Sequence, residues 1–185
     1  MRRVVGAVAL LGMLALSGCG GGDPLPTLPP TPSSTPVFAS EEEALAAAEE
    51  AYAAYLEVWN LVASEGGLRP ERLETLATGS FLESELDGIQ SFVENGWRSV
   101  GSSILTSAQL QYADLGSETG SGVVGAYICI DLAGLDVVDA NGASVVSSSR
   151  PDLQAFEVYF DLTSEGALVP SDSAPWDPVG VCGNA

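Results

Sequence analysis

The side chains able to do chemistry in this chain are carboxylates and three cysteines, for it contains no His and no Lys. That absence removes Ser-His-Asp and Cys-His nucleophiles, a Ser-x-x-Lys pair, a Schiff-base lysine and imidazole metal ligands. A Gly-x-x-x-x-Gly-Lys phosphate loop is missing, as is a Gly-x-Gly-x-x-Gly turn between a strand and a helix. Among the carboxylates, Asp131 is the candidate. Tyr127, Cys129 and Asp131 alternate onto one face of a strand, with Ile128 and Ile130 on the other. If the first face is interior, burial raises the Asp131 pKa and makes it a general base. If it is exterior, Asp131 is solvated or caps the strand end. Asp136, Asp139, Asn141 and Gly142 resemble the start of a calcium loop, but the terminal Glu is missing and Asn-Gly reads as a hairpin turn. Neither a metal nor a cofactor is expected. Tyr55, Trp59, Phe92, Tyr127 and Phe156 are the candidates for lining a pocket between helix and sheet, the alternative being plain core.

The cysteines divide by position. Met1-Arg2-Arg3 precedes an apolar run from Val4 to Leu16, shorter than the roughly 20 residues that span a bilayer, and small residues follow it. That is a secretory signal. Leu16-Ser17-Gly18-Cys19 resembles the lipobox of bacterial lipoproteins, which implies a signal peptide over 1–18 and diacylglycerol and palmitate on Cys19 as the first mature residue. Two or three acyl chains, at about 0.8 kcal/mol per buried methylene, give a stable anchor. Residues 19–39, rich in Gly, Pro, Ser and Thr, read as a disordered tether. With Cys19 lipidated, Cys129 and Cys182 remain as a pair in an oxidising compartment. A disulfide is the natural reading, against two buried free thiols.

Positioning these groups falls to residues 40–185, the length of one domain. Ser40 with Glu43 reads as a capping box, and Leu45, Ala48, Tyr52, Tyr55, Leu56, Trp59 and Val62 then recur at helical spacing. Gly66-Gly67 stops that helix. Pro70 opens a short second helix carrying Leu73 and Leu76. Ser80 with Glu83 reads as a second capping box, opening a third helix with Leu82, Leu86, Ile89 and Val93 on one side and Asn95-Gly96 at its end. Beyond Trp97 the period shifts toward 2. Strands are expected over 103–114, over 123–132 with continuation to Val138, over 153–163 and over 167–171. Pro175-Trp176-Asp177-Pro178 reads as a lid over the sheet, or as packing. Helices first and antiparallel strands after make this α+β, with the helices on one face of a curved sheet.

That order of elements resembles the NTF2-like (cystatin-like) cone. Ala126-Tyr127-Ile128-Cys129-Ile130-Asp131, then Asp136-Val137-Val138-Asp139-Ala140-Asn141-Gly142, then Arg150-Pro151, is similar to NTF2-like lipoproteins of actinobacterial type. The late Cys182 fits that group too, and the resemblance implies its link to Cys129. It implies a lipid-anchored domain on the extracytoplasmic face of the cell membrane, in the cell envelope, binding an envelope protein partner or a small apolar ligand without catalysis. The superfamily also includes ketosteroid isomerases and polyketide cyclases built on an Asp base, so a carboxylate-based isomerase or cyclase is the alternative. No catalytic position is carried over, because the enzymes' motifs are not matched residue by residue.

Charge narrows the partners. Losing Arg2 and Arg3 with the signal leaves 4 Arg against 25 Asp and Glu, taking the net charge from −19 to −21. Such a field repels phosphate, so nucleic acid is excluded, and anionic headgroups offer no second hold on the membrane beyond the lipid.

Overall fold

The computed structural model describes residues 37–116 and 120–183. The expected signal segment, Cys19 and the expected tether through residue 36 lie outside them. Helix α1 (Glu41–Ser64) begins where Ser40 Oγ accepts the Glu43 N–H at 3.2 Å. Glu43 reaches back as expected, but its carboxylate takes the N–H of Ala39, one residue earlier, at 2.7 Å. Phe38 is already buried in the core, so the folded unit starts ahead of the cap. The left-handed pair Gly66 and Gly67 ends the helix. The expected short helix is a single 3-10 turn, Pro70–Leu73, with Leu73 fully buried.

Helix α2 (Gly79–Asn95) departs from its expected capping. Thr78 is the N-cap and contributes no side-chain bond. Ser80 instead donates its hydroxyl to Asp172 Oδ1 at 2.8 Å, docking the helix onto the last strand, and the Ser80–Glu83 box does not form. The buried face is also turned: Phe81, Ile89 and Phe92 point inward, Leu82 and Leu86 pack partly, and Val93 is exposed. Gly96, left-handed, closes the helix as expected.

The strands are β1 (Arg98–Val100), β2 (Ile104–Ala113), β3 (Gly120–Asp131), β4 (Asp136–Val138), β5 (Leu153–Leu162) and β6 (Leu168–Trp176). β2-β3-β5-β6 form one antiparallel sheet, and β1 pairs with β4 in a small separate one. The expected continuation of β3 to Val138 breaks at Ala133. Asp131 Oδ1 accepts the Ala133 N–H, the Leu135 N–H bonds the Leu132 carbonyl, and the chain turns to pair with β1. Arg150 donates to the Leu132 and Leu135 carbonyls and holds that turn from outside. β6 runs five residues past its expected end because Asp172 to Trp176 stay in register with Tyr159 to Ala155. Its Pro170 and Pro175 are tolerable because β6 is an edge strand, where a missing N–H costs no ladder bond.

The molecule is therefore α+β, with both helices packed on one face of an antiparallel sheet. Ile128 and Ile130 of β3 and Val158 and Phe160 of β5 meet Tyr52, Tyr55 and Phe81 there. Fully burying a side chain such as Phe160 contributes about 1.5–3 kcal/mol. The opposite face carries no helix. Its only cover among the described residues is the tail after β6, fixed by a disulfide between Cys129 and Cys182.

Candidate functional site

Two places on this frame concentrate aromatic and acidic side chains. The first lies between α1 and the sheet. Tyr55, Trp59 and Phe156, expected to line a pocket, converge there with Tyr52, Leu56 and Ile130 around a cavity of about 120 Å³. Phe92 does not line it. Its ring meets the edges of Trp59 at 6.3 Å and Trp97 at 6.4 Å, inside the helix packing. Tyr127 is absent as well, because the alternation of β3 sends it to the uncovered face with Cys129. Asp131 shares that outer direction. Its Oδ1 accepts the turn N–H of Ala133 and it does not line the cavity, so Asp131 does not face the helices.

One acid does face them, and it is not apparent from the sequence. Glu85 sits in register with Phe81 and Ile89 on the buried side of α2, where an apolar residue is the rule. Burial pushes its carboxyl pKa up, and hydrogen bonds from Tyr55 and Trp59 pull it partly back. Tyr55 is in turn raised well above its ordinary value, by burial first and by Glu85 second. Phe81, Glu85 and Ile89 recur at intervals of four, which puts Glu85 on their stripe, but that spacing alone does not separate a buried acid from a solvated one. Glu85 steadies the wall of the cavity from behind; it does not line it.

The second place is the uncovered sheet face. Strand registers set out its rows. Tyr112, Gly125 and Tyr159 lie side by side across β2, β3 and β5, followed by Gln109, Tyr127 and Glu157, then Ser107, Cys129 and Ala155. Gly125 lets the Tyr112 ring lie flat over the sheet, since a Cβ there would come within 2.5 Å of it. Tyr112 and Tyr159 rings are 6.2 Å apart. Trp176 reaches in from β6 and lies 4.7 Å from Tyr127. Gln111 donates to both the Tyr127 hydroxyl and the Glu157 carboxylate, and Asp161 accepts the Gly122 N–H at 2.7 Å.

The tail covers the last of these rows and reaches into the row before it. Ser107 Oγ donates to the Val181 carbonyl at 2.9 Å and Gln109 to the Gly180 carbonyl at 2.8 Å. Cys129, Ala155 and Val181 form a small second core beneath. The expected lid is thus a strap: Pro175 and Trp176 extend β6, and the turn Asp177–Gly183 is pinned by Cys182. Beside it, Pro151, Leu153, Pro175, Trp176 and Pro178 border an apolar cleft of about 330 Å³. Away from the tail the face is open at Tyr112, 39% exposed, and at Trp176, 44% exposed, while Tyr127, Glu157 and Tyr159 are half-buried.

The Asp136–Gly142 loop is a turn in its own right. Asp139 Oδ1 accepts from Asn141 and Ala143 backbone N–H groups, and Asp136 Oδ1 from Val137 and Ser144. Its own N–H donors hold the Asp139 carboxyl below its usual range, that of Ala143 foremost. No group of metal-ligating side chains is present among the described residues.

No protein-family model matches this chain, and no curated protein matches it. A solved structure does: the intermembrane-space region of the chloroplast protein ARC6 is similar over 71% of this chain and 95% of its own length. The TM-score is 0.50 and the identity 13%, a likeness of fold alone.

Proposed function

We propose that this chain is a lipoprotein anchored through Cys19 on the extracytoplasmic side of the cell membrane. Its domain, read as NTF2-like, is a non-catalytic module that binds a protein partner through the uncovered sheet face. The observation that carries this reading is the open aromatic surface of Tyr112, Tyr127, Tyr159 and Trp176. Monomeric proteins seldom leave a group of large rings exposed or half-buried on one bare face without a use for it, and Tyr and Trp dominate the energetics of interfaces. The Cys129–Cys182 bond supports an oxidising compartment. No described helix is long and apolar enough to cross a membrane, so attachment falls to the lipid in this reading.

The convergence of Tyr55, Trp59 and Phe156 favours a second reading, a small apolar ligand between α1 and the sheet. Its cavity of about 120 Å³ is well below the roughly 300 Å³ at which ligand pockets begin, so the ligand would be small or the helices would have to part. An isomerase or cyclase reading has less support, since Asp131 does not line the cavity between α1 and the sheet.

The test uses the full chain in its own cell, with a photo-crosslinking amino acid at Tyr159 or, as a control, at Glu50 on α1. One identified envelope protein joined from position 159 alone is expected. Equal adducts from both positions, or none from position 159, would sink the partner reading. In parallel, Cys19→Ala should abolish palmitate labelling and move the protein out of the membrane fraction; a labelled variant would refute the anchor.

A further inference from the structure

The open rings of the sheet face do not stand alone. Glu157 lies between Tyr127 and Tyr159, in register with Tyr127, and Asp161 lies two residues further along β5 on the same side. Both carboxylates act on the tyrosines. The hydroxyls of Tyr112 and Tyr159 are raised first by partial desolvation, then by Asp161 and Glu157 at Tyr112 and by Glu157 at Tyr159.

No arginine among the described residues answers them. Arg69 and Arg72 pair with Glu65 beyond α1, Arg150 holds the 132–135 turn, and Arg98 is on β1 in the other sheet. The face therefore combines electron-rich rings with uncompensated negative charge, the two features that favour a cation over an aromatic surface.

Other occupants fit less well. A second copy of the chain would bring Glu157 and Asp161 against their own kind, and an anionic lipid would meet the same field. At the β6 edge Pro170 and Pro175 lack N–H donors and the Pro170 carbonyl already takes the Thr78 N–H, so that edge is disfavoured for strand addition.

Resting on the reading of this face as a partner site, we propose that the partner segment is basic. Arg or Lys side chains would lie over Tyr112, Tyr127 and Tyr159 and pair with Glu157 and Asp161, while an apolar residue enters the cleft beside Trp176.

The test follows the indole N–H signals of Trp59, Trp97 and Trp176 by NMR in the full-length lipidated chain in neutral detergent. The probes are an extended (Arg-Thr)6 peptide, a (Glu-Thr)6 peptide and a neutral oligosaccharide. The expected result is a saturable shift of Trp176 with the arginine peptide only, weakening at least tenfold between 20 and 300 mM NaCl. The pair Glu157→Gln with Asp161→Asn should weaken it at least tenfold. The pair Glu41→Gln with Glu42→Gln, at the far end of α1, should leave it within twofold.

Equal losses from both pairs would mean attraction to net charge and would overturn the proposal. So would a Trp176 that moves with the oligosaccharide, with the acidic peptide or with protein concentration. In those cases a single adduct from position 159 keeps the face as a partner site, and only the basic chemistry falls. Absence of that adduct removes the face itself. Tyr159→Phe, which keeps the ring, should bind normally, whereas Tyr159→Ala should lose at least fivefold at unchanged melting temperature.

Discussion

Glu85 shows how one side chain can set a pH dependence for the whole domain. Burial raises its pKa above the ordinary 4.5, only partly offset by Tyr55 and Trp59. A carboxyl raised on folding contributes stability that is fully present below its unfolded pKa and lost as pH rises through the folded value. Glu85→Gln cannot ionise and keeps an acceptor for the two aromatic donors. In urea melts the variant should match the parent below about pH 4. Its advantage should then grow with pH, by no more than about 1.4 kcal/mol per unit, and level off above the folded pKa. A gap of constant size from pH 4 to 8 would show that Glu85 is ionised as readily as in the unfolded chain. The same side chain marks a limit of sequence reading. An acid at a single stripe position is indistinguishable from a solvated one until the facing residues of α1 are known. Tyr55 and Trp59 were legible because they recur in the apolar stripe of α1, and Phe156 because it alternates with the apolar residues of β5. Tyr127 was not, since β3 is apolar on both faces and its alternation does not say which side the helices take.

At the level of elements, ends are the most legible parts and tertiary contacts the least. Ser40 and Gly96 act locally and stand where their types predict; Ser40→Ala should cost about 1 kcal/mol in thermal melts. Ser80 has the same local grammar, yet Asp172, ninety-two residues away, takes its hydroxyl. The small β1–β4 sheet was equally hidden, because three-residue strands carry no period. Its placement depends on a close approach of two backbone segments. Gly101 is left-handed at φ 79°, and a Cβ there would lie 1.8 Å from the Gly134 carbonyl oxygen. Gly142 is left-handed at φ 83° with nothing near it. Gly142→Ala should therefore cost only the backbone strain, about 1–2 kcal/mol. Gly101→Ala must also displace the 132–135 turn and should cost clearly more in the same unfolding assay. Equal costs would mean that the turn yields freely.

The molecule as a whole carries 25 acids and 6 arginines, and self-repulsion works against its compact state. Raising NaCl from 10 to 300 mM should increase the melting temperature by a few degrees, and calorimetry across that range is the check; a fall would mean that ion pairs outweigh repulsion. The disulfide acts at the same scale. It joins residues 53 apart, which on the chain-entropy model stabilises the fold by about 4 kcal/mol. Reduction should lower stability by that order and raise the exposure of Ala155 in hydrogen exchange, since Val181 leaves with the strap. The edge prolines of β6 bear on a different matter, how the protein tolerates its own company. A lipid anchor of the kind proposed confines molecules to two dimensions, where neighbours meet far more often than in free solution. An unprotected sheet edge in that setting would be an invitation to grow fibrils laterally. Pro170 and Pro175 withhold two of the amide hydrogens such growth would require along β6, so crowding on a membrane can bring these domains together without stitching them along that edge.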